Sequence, residues 1–414
     1  MKQARASRQA AMPFIMATVL IDMIAVGLII PVLPPLVGTF TSSQAEQAFW
    51  YGAVTVVFGI ANFFASPILG RLSDRYGRRP VLLIGFSGFA LSFFITGLAT
   101  ALWMLLVVRL FSGAMQANIA VANAYVADIT APAQRAQAFG KLGAMLGMGF
   151  ILGPVLGGIL GGIDLHLPFF VAGGLACLNW LYGYFVLPES LPVERRQPFV
   201  LREANPISSL RGLRELKGVG SLVFVIALSG LVQFMTHTSW VLYTTFKFGW
   251  GPTQNGWSLF AIGLMSVLVQ GVLLGRLLKR FSPQRLAIMG LVSSIVFYLA
   301  CGAATAGWML IAAILVNVLG FASTAAMQSI ISNAADPMTQ GRTAGAVASL
   351  NSMMAVIAPA IGAPLLATVS HLPRGDWRIG APFYFCAALQ AASMLIALRH
   401  FRGERRKRQA LAAA

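Results

Sequence analysis

Twelve apolar runs, each of about twenty residues or more, recur along this chain and limit what it can fold into. They fall at about 12–36, 48–69, 80–99, 102–126, 138–161 and 166–187, then 218–242, 254–274, 286–304, 308–332, 344–368 and 379–399. Twelve helices of ~20 residues with short loops use up the whole 414-residue length. The expectation is an all-α integral membrane protein with twelve transmembrane helices. With 57% hydrophobic residues, 10% charged residues and a mean hydropathy of +0.77, the chain lies far from the soluble average.

The runs divide six and six. Between them, Glu189 to Lys217 is polar and carries Pro192, Pro198 and Pro206, as a linker would. The organisation predicted is an N-terminal six-helix bundle over 1–188, a linker over 189–217 and a C-terminal six-helix bundle over 218–414. The net charge of +18 does not point to nucleic acid, because the basic residues are scattered among loops without one aromatic-flanked patch. Topology accounts for them. Of 30 Lys and Arg, Lys247, Arg374 and Arg378 fall on one set of connections and Arg109 lies inside a run; all others sit on the termini, the linker and the even connections. By the positive-inside tendency both termini are cytoplasmic. Lys2, Arg5 and Arg8 precede an apolar run too long for a signal peptide and without a convincing cleavage site, so an uncleaved first span is expected. Cys177, Cys301 and Cys386 all lie in apolar runs and follow no disulfide or metal-ligand spacing.

One loop stands apart: Gly70-Arg71-Leu72-Ser73-Asp74-Arg75-Tyr76-Gly77-Arg78-Arg79-Pro80. A shorter version, Gly275-Arg276-Leu277-Leu278-Lys279-Arg280-Phe281, returns 205 residues later. The offset persists, since Trp103-Met104-Leu105 becomes Trp308-Met309-Leu310. Two halves with an even number of spans share one orientation, as parallel repeats do, and substrate is expected between them at the midplane.

These residues resemble the major facilitator superfamily over nearly the whole chain. The loop from Gly70 to Arg79 is similar to its signature between spans two and three, Arg109 with Gly113 to its span-four motif, and Gly147, Gly153, Pro154, Gly157 and Gly158 to the span-five motif of its antiporters. More narrowly, Gly27 to Pro34, Ala124 to Thr130 and Gly153 to Gly158 resemble drug–proton antiporters of the tetracycline-resistance type, with Asp22 matching their span-one acid. Ser92, Ser266 and Ser294 stand where that type carries an acid, a histidine and a second acid. Those departures keep the exporter scaffold and weigh against tetracycline itself. The resemblance also implies a latch formed by Gly70, Asp74, Arg75, Gly77, Arg78 and Asp128. In it Asp74 engages the start of span eleven near Gly341 to Gly345, and Arg78 meets Asp128.

The chemistry must rest on few groups. Asp22 is the acid placed deep in a span and Arg109 the deep base, at depths that differ by only ~6 Å at helical rise. They are expected to act in proton coupling, or else to form a permanent brace between spans one and four. Substrate-binding candidates are Asp22, Arg109, Gln116, Gln233, His237, Trp240, Asn317 and Gln328, on spans one, four, seven and ten. Each amide has the plainer alternative of bonding a neighbouring helix. His237 could carry a second proton, although a lone histidine is more often an ordinary hydrogen-bonding residue. Met145, Met148, Met265, Met353 and Met354 suit either a pliable wall or core packing.

No Walker loop, HExxH pair or nucleophile elbow occurs, so neither an enzyme, a cofactor nor a metal site is expected. The function predicted is a proton-coupled antiporter in the cell inner membrane, acting as a monomer and exporting apolar or cationic small molecules such as drugs. A metabolite transporter of the same fold, for a sugar or organic acid, and a membrane receptor or scaffold are the alternatives.

Overall fold

In a bilayer the backbone finds no water to bond, so apolar runs satisfy their N–H and C=O groups internally as helices. The computed structural model describes the backbone of residues 2–116, 118–131, 134–200, 220–334 and 340–413, and every regular element among them is helical. The first group is α1 (Lys2–Ile29), α2 (Leu33–Gly38), α3 (Gln44–Tyr76), α4 (Arg78–Gly97), α5 (Leu102–Met115), α6 (Asn118–Ile129), α7 (Arg135–Ile163) and α8 (Leu167–Phe185). The second is α9 (Gly220–Phe248), α10 (Pro252–Leu268), α11 (Leu274–Arg280), α12 (Pro283–Ala303), α13 (Gly307–Val316), α14 (Val318–Ala334), α15 (Gln340–Val369) and α16 (Ala381–Ala413). A π-helical turn, Val269–Leu273, joins α10 to α11.

Twelve spans are expected from the sequence. Among the described residues, ten helices are long and apolar enough to cross a membrane, or eleven when α13 and α14, bent by 47°, count as one. The run outside this set is α8, whose 19 residues include Asn179, Trp180, Tyr182 and Tyr184 and so dilute its apolar character. Both spans four and ten are interrupted, at Gln116 and Asn317 respectively.

The chain divides into two units. Unit 1 is Met1–Ser43, Ala53–Pro206 and Trp250–Phe260; unit 2 is Gln44–Gly52, Ile207–Gly249 and Ala261–Ala414. Two short stretches therefore cluster away from their sequence half. Small residues account for both: Gly52 leaves room for Ala363 inside unit 2, and Gly256 leaves room for Pro154 and Gly158 inside unit 1.

In unit 1, α1 packs on α7 and α8, and α4 packs on α5, α6 and α8. Ile15, Val19, Phe86, Val121 and Tyr125 fill the space between them. In unit 2, α9 packs on α15 and α16, and α12 on α14 and α16, around Met235, Leu291, Ala322 and Cys386. Cys301 and Cys386 are buried free thiols and Cys177 is an exposed one. Met354 belongs to the unit 2 core, with Met265 and Met353 packed against it; Met145 packs on the unit 1 core, while Met148 is exposed.

Candidate functional site

Asp22 is buried in the C-terminal half of α1, about two turns before its end. The amide of Asn118 reaches its carboxyl. Asn118 opens α6 just past the interruption of span four, and it is itself buried. Its amide lies in the notch left by Gly85 of α4, where a Cβ would collide with Oδ1. Nδ2 points toward Asp22 without completing a well-formed hydrogen bond.

Arg109 is also buried. Its guanidinium lies 5.7 Å from the centre of the Phe58 ring, a cation–π arrangement that suits a charge in apolar surroundings. Beside it is a cavity of about 30 Å³, room for one or two waters. Its walls combine the rings of Phe58, Phe89 and Phe93 with polar groups from Ser92, Thr96, Ser112 and Gln116. Val26 and Ile29 of α1 also line it. Asp22, one turn or ~5 Å further along the same face of α1, does not.

The stretch from Gly70 to Pro80, read as a loop from sequence, is helical except at Gly77, and the end of α3 and start of α4 form a charged knot there. Arg78 is buried, and its Nη1 lies 2.6 Å from Asp74 Oδ1 while its Nε donates to Asp128 Oδ2 at 3.0 Å. Nη1 also donates to Ser73 Oγ at 2.6 Å. One guanidinium thereby holds the ends of α3 and α6 to the start of α4. Ser190 Oγ donates to the same Asp128 oxygen at 3.2 Å.

Glu189, which the sequence reading leaves in the linker, completes this knot. Its Oε1 accepts the backbone N–H of Arg78 at 2.9 Å and its Oε2 that of Arg79 at 3.2 Å, so a carboxylate caps α4 where the helix dipole favours one. Oε1 further accepts the N–H groups of Ser190 and Leu191. Gly77 makes this possible: its φ is +106°, and a Cβ there would run into Glu189. The only sequence signal for the residue is a carboxylate directly after span six, facing a glycine-led helix start. Arg75 stacks on Tyr76 at 5.1 Å. Gly70 has open space around it, so no close approach explains it. The expected partner of Asp74 near Gly341 to Gly345 lies outside the residues whose side chains are described.

The glycines of α7 form two packing faces. Gly149, Gly153 and Gly157 recur every four residues and meet Met23, Ile24, Gly27 and Leu28 of α1, immediately beyond Asp22. Pro154, Gly158 and Gly161 instead meet Pro252 and Gly256 in α10, where Thr253 Oγ1 donates to Gly158 O at 3.1 Å. Gly149 is thus a contact that the motif omits, whereas Gly147 is only half-buried.

In unit 2, Gln233 and His237 share an exposed face of α9, and His237 lies edge-on to Phe234 at 6.5 Å. Trp240 does not continue that exposed face: it is buried because Phe383, in the first turn of α16, covers it at 6.0 Å. Asn317, at the break between α13 and α14, is likewise turned inward, its Oδ1 accepting from Ser293 Oγ of α12 at 2.9 Å. The side chain of Gln328 lies outside the described residues. Lys247, assigned to a loop from sequence, is buried in the last turn of α9 and donates from Nζ to Gly302 O at 2.8 Å.

A family model for the Major Facilitator Superfamily matches residues 15–359 and again 222–414. The tetracycline resistance protein, class C, of Escherichia coli is 36% identical over 375 residues, covering 90% of this chain and 94% of that protein. Multidrug resistance protein 2 of Bacillus subtilis (strain 168) is 28% identical over 381 residues, covering 90% and 93%. Among solved structures, that of the nucleoside transporter NupG is similar in fold, with a TM-score of 0.73 at 16% identity over 94% of this chain and 99% of that one. The human organic anion transporter MFSD10 aligns with a TM-score of 0.66 at 23% identity, covering 94% and 99%. Repeated helical halves, the arginine-centred knot after span two and a family match across both halves agree with one another, and the chain is a multi-pass membrane protein that belongs to the Major Facilitator Superfamily.

Proposed function

We propose that this protein is a drug efflux transporter driven by the proton gradient, exchanging external protons for apolar or cationic small molecules. The observation that carries this reading is a buried carboxyl, Asp22, one helical turn from a cavity walled by aromatic rings, in a chain 36% identical to a tetracycline resistance protein. An ionisable group at this depth is costly unless it does work. Ionised, Asp22 attracts a cationic ligand and accepts from Asn118; protonated, it releases both, so proton and substrate compete. Gly147, Gly153, Pro154, Gly157 and Gly158 would serve the exchange mode by sealing α7 against its neighbours. The knot of Asp74, Arg78 and Asp128 would act as the gate. Both termini are cytoplasmic in this reading, and the protein works as a monomer in the inner membrane.

The test is transport by purified protein in proteoliposomes under a pH gradient, with tetracycline and ethidium as probes. Asp22→Asn should abolish gradient-driven flux while the protein stays folded in the membrane; unchanged flux would overturn the proposal. One observation favours a second reading. Among the described residues that line the cavity, Arg109 is the charged one, which suits an organic anion. In that case flux saturates with an aromatic carboxylate, and Arg109→Gln raises KM for it far more than for ethidium.

A further inference from the structure

Around Asp22, three buried side chains each present a polar atom that completes no hydrogen bond: Thr18 Oγ1, Asn118 Nδ2 and Asn179 Oδ1. Leaving such groups unpaired inside a membrane protein is costly, and buried polar atoms in this position ordinarily hold water. Their placement is ordered. Thr18 precedes Asp22 by one turn on the same face of α1. Asn179 of α8 donates from Nδ2 to the backbone oxygen of Thr18 at 3.0 Å, which fixes its free Oδ1 beside α1. Asn118 approaches the Asp22 carboxyl from α6. None of the four residues lines the cavity at Arg109.

We propose that Thr18, Asn118 and Asn179 hold a short file of water that carries the proton between Asp22 and the N-terminal end of α1, separately from the cavity at Arg109. This rests on the reading of Asp22 as the proton carrier. On release, the O–H bond of the Asp22 carboxyl breaks as one forms on the first water. That water passes one of its own protons to the next, so one proton moves and nothing is oxidised or reduced. Asn118 then donates to the carboxylate left behind. Thr18 and Asn179 orient the waters and gain no proton. One turn further on, Phe14 and Tyr182 meet edge-on at 5.9 Å, and the half-buried Tyr182 marks where the file opens.

Asn179→Leu and Thr18→Val keep side-chain size and remove the polar atoms. In proteoliposomes, pH-gradient-driven flux of whichever of tetracycline and ethidium the unaltered protein moves should fall about ten-fold in each variant. Counterflow of the same probe at equal pH on both sides, which moves no net proton, should persist, and Asn179→Ser should recover much of the driven flux. Driven flux unchanged in both variants would overturn the proposal, as would parallel loss of driven flux and counterflow without recovery by Asn179→Ser, since that pattern means packing. If the unaltered protein moves neither probe under a pH gradient, the proton-coupled reading itself fails and this route falls with it. An unaltered protein that is proton-driven beside indifferent variants removes the route alone.

Discussion

Glu189 caps α4 through the backbone of Arg78, whose N–H it accepts at 2.9 Å. The same arginine's side chain binds the carboxylates of Asp74 and Asp128, so one residue is held by its backbone from one side and by its guanidinium from two others. A rigid start to α4 follows from this.

The cap can be removed without touching the guanidinium. Glu189→Ala should lower stability by about 1 kcal/mol, the usual worth of a helix cap. Gly77→Ala should cost more, about 1–3 kcal/mol, because it adds strain at a positive φ to a collision with Glu189. Thermal unfolding of the detergent-solubilised protein should rank the two in that order.

Arg78 serves by geometry as well as charge. Arg78→Lys keeps the charge but cannot reach Asp74, Asp128 and Ser73 together. Transport should drop about ten-fold in this variant, in line with the loss of roughly 1.4 kcal/mol of orientation. Reversal at Asp74 to Lys should be at least as severe, whereas reversal at Lys279, the position 205 residues on, should be mild. Drug resistance of cells expressing each variant at equal membrane levels checks the order.

Glycines of α7 differ in what surrounds them. Gly153→Leu should prevent α7 from closing on Gly27 and leave little folded protein, and Gly158→Leu should do the same at Gly256. Gly143 has nothing within contact distance, so Gly143→Ala should be silent. Yield of monodisperse protein in detergent reads all three.

Away from the membrane spans, the carboxyl of Asp376 is pushed down to about 2, chiefly by the Arg378 side chain and then by its backbone N–H. A carboxyl lowered in the folded state contributes stability above its ordinary value of 3.8 and loses it as pH falls toward 2. Acid should therefore loosen the segment before α16, and hydrogen exchange at residues 376–380 should rise across that interval. Asp376→Asn should abolish the pH dependence there.

Much was legible because the bilayer reduces choice. Apolar length fixed where helices run, and the family resemblance paired Arg78 with Asp128; that the same guanidinium also holds Asp74 came from the structure. Among the described residues, α8 falls outside the set of long apolar helices because one amide and two tyrosines interrupt its apolar run. Depth arithmetic brought Asp22 and Arg109 to similar levels but could not say which other groups face them; Asn118, beyond a break that periodicity does not register, reaches Asp22. Trp240 repeats the lesson, because only the first turn of α16 tells that it is covered.

By itself the sequence determined the all-helical membrane architecture, its repeat and the family, since these follow from hydropathy, chain length and local motif. The tertiary structure alone decided that Glu189 caps α4, that Arg109 lines a cavity with three aromatic rings, and that Asn118 reaches the carboxyl of Asp22. The physical reason is that hydropathy and spacing act along the chain. Which polar atom meets which depends on helices far apart in sequence packing across gaps set by single glycines such as Gly77, Gly85 and Gly153.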